Sequence, residues 1–301
     1  MAFCTLTFFM LIVSVAPAGA HSCENGNSPC SCAKTGNGTS EPCCEVVLSG
    51  DVEPATTLAT ECESLRVSLQ TKWLGHPGKS WRPRCLVVFH ADRERYLAAV
   101  GRGGLMTYGY SRITFAGDQI VGRRIDLCDE DRDRARSALA HEMSHVILAD
   151  RFGRGSLPRW ADEGVAVLAD SREKQVRHHR DLADAIRQGR DLPFGYLAGL
   201  ETPPSADRVA VFYGQSASLA RFLAHRKTPH DFLSFVAISQ RAGYDQAAKE
   251  VYGFADARSM EQAWRSDVEQ QATALSNAAK PSFIPVNVDS KALVARQTRT
   301  Q

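Results

Sequence analysis

Between Ala138 and Asp170 the chain reads ALAHEMSHVILADRFGRGSLPRWADEGVAVLAD. Leu139, Met143, Val146 and Ile147 recur at helical spacing, so the first part of this stretch is a helix with one buried face. Gly153 is a stop signal for that helix, and Pro158 marks the first turn of a new one. Two helices joined by so short a loop fold back against each other, and this hairpin restricts the architecture more than any other part of the sequence.

The same stretch holds His141, Glu142 and His145 in the order H-E-x-x-H. Four residues apart on a helix, the two histidines point within about 40° of one direction, one turn apart, and both imidazoles can reach one tetrahedral metal ion. Glu142 is rotated by about 100° from His141, which sets its carboxylate beside such a metal rather than on it, in place to work as general base and acid. A third ligand is still needed from another element. Glu163 is the expected one, with Gly164 beside it allowing close helix approach, and Asp162 and Asp170 are rival oxygen ligands.

The chain has 301 residues, 44% of them apolar, which is enough for a sizeable core. Its 36 Lys and Arg stand against 34 Asp and Glu and are dispersed, so no nucleic-acid surface is expected. Apolar spacing predicts a helix over 57–73, a buried strand in CLVVFH at 85–90, and helices near 131–152, 158–170, 172–188, 208–226, 229–242 and 257–273. The Gly-rich 101–110 reads as a loop, and 117–127, with interleaved charges, reads as an exposed strand suited to a sheet edge. His178 and His179, flanked by Arg177 and Arg180, read as a solvated helix face, and Trp160 as helix packing.

The first twenty residues are apolar and end in Ala18, Gly19 and Ala20, the pattern of a cleavable export signal. An uncleaved leader is the one membrane contact expected. Without Cys4 of the leader, eight cysteines remain (Cys23, Cys30, Cys32, Cys43, Cys44, Cys62, Cys85 and Cys128), an even number that favours disulfides in an exported chain. The expected organisation is a signal at 1–20, a Cys-rich extension at 21–45, one domain at 46–274 and a disordered tail at 275–301.

H-E-x-x-H with a glutamate seventeen intervening residues further on, inside a Trp-x-x-Glu-Gly-x-Ala helix, resembles the gluzincin metallopeptidases, especially the peptidase-MA-like families of exported bacterial proteins. The specific likeness covers 138–170, and a looser one in the order of elements spans about 45–270. It implies an α+β fold of zincin type: a small mixed sheet with an edge strand in the N-terminal half, the H-E-x-x-H helix, then a largely helical C-terminal half. It implies one zinc ion per chain, held by His141, His145 and Glu163, with Glu142 as general base for hydrolysis of peptide bonds by zinc-activated water. The edge strand, placed at 119–126, would align an extended peptide or protein substrate. Tyr213 would stabilise the oxyanion, with Tyr196 or His179 as substitutes. The segment that marks true aminopeptidases is missing, so an endopeptidase is expected. The alternative is a catalytically inactive zincin-fold binding module of the cell envelope.

Overall fold

The computed structural model of the chain describes residues 42–50, 55–154 and 157–278, the last seven of them as helix backbone alone. The expected leader at 1–20, most of the expected 21–45 extension and residues 279–301 lie outside the described residues. The order of elements is β1 (Cys44–Ser49), α1 (Ala55–Leu74), β2 (Cys85–His90), α2 (Arg93–Val100), β3 (Gly109–Ala116), β4 (Gln119–Cys128), α3 (Arg132–Phe152), α4 (Arg159–Val167), α5 (Arg172–Arg187), α6 (Phe194–Ala198), α7 (Val209–Arg226), α8 (Pro229–Ala247) and α9 (Ala257–Ala278). The architecture is mixed α+β, a four-stranded mixed sheet followed by a mostly helical C-terminal half.

The sheet runs β1-β2-β4-β3, parallel across β1, β2 and β4 and antiparallel between β4 and β3. Strand β4, expected as the edge at 119–126, is therefore internal, and the edges are β1 and β3; β3 starts at the end of the expected Gly-rich loop (101–110) and runs on through residues to which the sequence assigned no element. The interleaved charges of β4 that suggested an edge each find a partner of opposite charge. Arg123 pairs with Asp150 of α3, and Arg124 grips Asp126 with Nε and Nη2, each at 2.7 Å. One sheet face, with Val87, Phe89, Ile113, Ile125 and Leu127, forms a core with Leu58, Cys62 and Leu69 of α1 and with Leu139, Met143, Val146 and Ile147 of α3. The other face carries Tyr110 and Cys128 against Tyr96 of α2.

The helical half has its own core around Trp160, Phe212, Phe232, Phe235 and Trp264, to which α3 contributes Leu148. The helix signals fall where local chemistry puts them. Asp131 caps α3 by accepting from Arg134 N at 3.1 Å, and Gly153 ends it at φ 68°. Ser171 caps α5, and Thr228 with Pro229 opens α8. Gly164 does ease a close approach, but to α7 rather than α3: a Cβ there would lie 2.5 Å from the Ser216 carbonyl oxygen. Gly214 of α7 stands in the same way against α5, 2.5 Å from the His178 carbonyl oxygen.

Two expected boundaries move. Cys44 belongs to the sheet, so the domain begins inside the expected extension, because Cys44 pairs in register with Cys85. At the other end α9 continues to Ala278, past the expected limit at 274. Cys43, Cys44, Cys62, Cys85 and Cys128 are buried free thiols, and no disulfide occurs among the described residues. No helix of the described residues is long and apolar enough to cross a membrane.

Candidate metal centre

One helix hairpin brings three expected ligands together. His141 and His145, a turn apart on α3, meet edge to face with ring centroids 5.0 Å apart, and α4 delivers Glu163 to them. Ligand atoms of His141, His145 and Glu163 all lie within 4.8 Å of one another, and all three residues are buried. Such a group can bind a metal ion, with Glu163 Oε2 3.5 Å from His141 Nε2.

Asp162 and Asp170 do not join this set. Asp170 Oδ2 lies 3.2 Å from His141 Nδ1, and Asp162 Oδ1 lies 2.7 Å from His145 Nδ1. Each carboxylate accepts from Nδ1–H and so leaves Nε2 for a metal, which fixes both tautomer and ring orientation. Asp170 is itself held by Lys174 Nζ at 3.0 Å and by the Ser137 hydroxyl.

Glu142 lies outside the ligand group and turns toward the sheet. Its Oε2 accepts from Ser111 Oγ of β3 at 2.7 Å. A Cβ on Gly109 would lie 2.9 Å from Glu142 Cγ and 3.0 Å from its Oε1, so only glycine lets the strand pass so close. Burial raises the Glu142 carboxyl above the ordinary range, and His141, His145 and the Ser111 hydroxyl offset part of that rise. A carboxylate raised in this way is better matched to proton transfer near neutral pH.

The charges fit a divalent cation. Glu142, Asp162, Glu163 and Asp170 are buried carboxylates, while the cations paired with them are Arg159 and Lys174. A divalent ion with neutral imidazoles makes up the difference. In the protein alone, protons serve instead. Burial would lower the His141 pKa, but Asp170 and Glu163 override it and raise it to about 9, and His145 is raised likewise by Asp162 and Glu163. Glu163 behaves oppositely: burial would raise it, but Arg159 and the two histidines hold it well below the usual carboxylate range.

Tyr213 sits buried near the start of α7, within electrostatic reach of Arg159, as Glu142 also is. The ring of His178 covers it at 5.8 Å between centroids. His178 therefore does not belong to a solvated face. It lies half-buried where α5 meets α7, and burial together with Lys174 lowers its pKa to about 4. Tyr196 is exposed on α6, and His179 interacts with Arg221. Trp160 packs, as expected, against Phe194 and Phe232, and its Nε1 donates to the Tyr244 hydroxyl at 3.0 Å.

Sequence reasoning missed four neighbours of the site: Gly109, Ser111, Arg159 and His178. For Arg159 a signal was present, since it stands four residues before Glu163 on the same helix. Away from the site, His90 at the end of β2 lies 2.8 Å from Asp126 on the neighbouring strand. Compared with models of known protein families, with curated proteins and with solved structures, the chain matches none of them.

Proposed function

We propose that the chain is an exported zinc-dependent peptidase of gluzincin type, with a zincin-like fold and with His141, His145 and Glu163 as zinc ligands. The observation that carries this reading is the buried group of two imidazoles and one carboxylate, each imidazole backed by its own aspartate, with Glu142 beside it. Two nitrogens and one oxygen at this spacing suit zinc with one coordination position left for chemistry. Zinc bound there supplies Lewis acidity, which acidifies water and polarises the carbonyl under attack.

The protein's own groups do the rest. Ser111 holds Glu142 by Oε2, and Oε1 takes the proton from the attacking water and returns it to the leaving amine nitrogen. Tyr213 offers its hydroxyl to the oxygen that gains charge as the peptide carbonyl becomes tetrahedral. The outer edge of β3, unpaired by any strand among the described residues and with Gly109 and Ser111 closing over Glu142, pairs with an extended peptide and sets its carbonyl beside the base. The leader sequence at 1–20 supports export.

The test is metal analysis together with digestion of a peptide library by the wild type and by Glu142→Gln. The expected result is one zinc per chain in both proteins and cleavage by the wild type alone, with turnover reduced about 100- to 10,000-fold in the variant. A purified chain that takes up no zinc on titration overturns the reading.

A further inference from the structure

Glu163 has two oxygens, and the structure treats them differently. Oε1 lies 2.9 Å from Arg159 Nη2, and Oε2 lies 3.5 Å from His141 Nε2. Arg159 is the first residue of α4 and Glu163 stands four residues later, so one turn of a single helix fixes the pair. Both side chains are out of water, 9% and 0% exposed. Ion pairs so deeply buried lose much of their Coulombic gain to desolvation, and apolar side chains of similar volume often replace them at no cost to stability. Stability is thus a poor reason for an arginine here, whereas the placement of its charge on a single ligand oxygen is specific. Arginine suits that role because its charge is permanent and its donors are held in a plane.

We infer that Arg159 is a positioning residue that occupies Oε1 and so makes Glu163 a one-oxygen ligand, with Oε2 alone facing the metal. The inference rests on the zinc reading of the site. Without the arginine, both carboxylate oxygens can turn to the ion. A second oxygen takes up the coordination position that the reaction needs and donates charge that weakens the ion as a Lewis acid.

Cobalt(II) reads this directly, because its visible bands weaken as coordination number rises. The full chain is loaded with cobalt alone as wild type, Arg159→Met and Arg159→Lys. All three bind one cobalt. Arg159→Met loses about half of the visible band intensity, while Arg159→Lys, which keeps a positive charge at that end of the helix, retains most of it. With zinc, kcat of Arg159→Met falls about 10-fold, and KM stays within about twofold because the Arg159 side chain is buried against Glu163. Wild-type band intensity in a folded Arg159→Met overturns the clamp. Should that variant fail to fold, Arg159→Gln takes its place under the same criterion. A wild type that binds no cobalt or zinc overturns the metal reading itself, so the two failures are told apart.

Discussion

On its sheet side the centre is met by backbone and a hydroxyl, and on its helical side by charge. Gly109 and Ser111 of β3 close over Glu142, whereas Arg159, Asp162, Glu163, Asp170 and Lys174 surround the histidines from α4, the start of α5 and the turn between them. Helix α3 stands between them, with Met143 and Val146 in the sheet core and Leu148 in the helical core. On the proposed reading the contrast divides the work: the sheet half would prepare the proton-transfer group, and the helical half would hold the ion. Substitutions on the two sides then have separable effects.

The largest effect belongs to the helical side. Glu163→Ala removes one of three ligands, so the variant should emerge from dialysis without zinc and without hydrolytic activity; retained zinc would assign the third ligand elsewhere and break the comparison at its base. Smaller losses follow behind the histidines. Asp162→Asn and Asp170→Asn each lower zinc affinity about 10- to 100-fold, measured by competition with a chelator, because each imidazole loses its anionic anchor.

A dependence on pH separates protons from metal at the same place. The His141 pKa of about 9 in the folded protein lies above its unfolded value, so in metal-free protein this group contributes stability below about pH 6.5, and the contribution is lost as pH rises toward 9. Zinc affinity runs the other way, since the ion displaces those protons. The rise in melting temperature on adding zinc should therefore grow between about pH 6.5 and 9, and a flat difference across that window would show that the histidines do not exchange protons for the ion.

The smallest effect, on the sheet side, is the sharpest discriminator. Ser111→Ala leaves zinc content unchanged and lowers kcat about 10-fold, the worth of one hydrogen bond to a charged group. It also moves the acid limb of the rate profile to higher pH, because the lost bond stabilised the ionised form of Glu142. Loss of zinc from this variant would mean that the two halves are not independent.

The pattern of what could be read in advance follows the same line. Helices α3 and α4, the ligand group and the position of Glu142 are encoded within about ten turns of continuous chain, where spacing alone states which side chains meet. Asp162 and Asp170 were visible as rival oxygen ligands, but their place behind the imidazoles depends on how α4 docks. Strand β3 was hidden because Gly109 and its neighbours look like loop, and its identity as a strand comes from pairing with β4. Arg124 and Asp126 misled for a related reason: charge on a strand suggests solvent unless the partner two residues away is already in place. His178 looked solvated beside its arginines and is covered only because Gly214 lets α7 come up to it.

Gly164 and Gly214 make α4, α7 and α5 a stack in which neighbouring backbones touch. Such a stack behaves like a set of shims behind a machine tool: a thickness added at any layer is passed to the working end, where Glu163 sits next to Gly164. A methyl group at Gly214, on a helix that contributes none of the proposed ligands, should therefore be felt as a change in metal affinity before it is felt as a loss of fold.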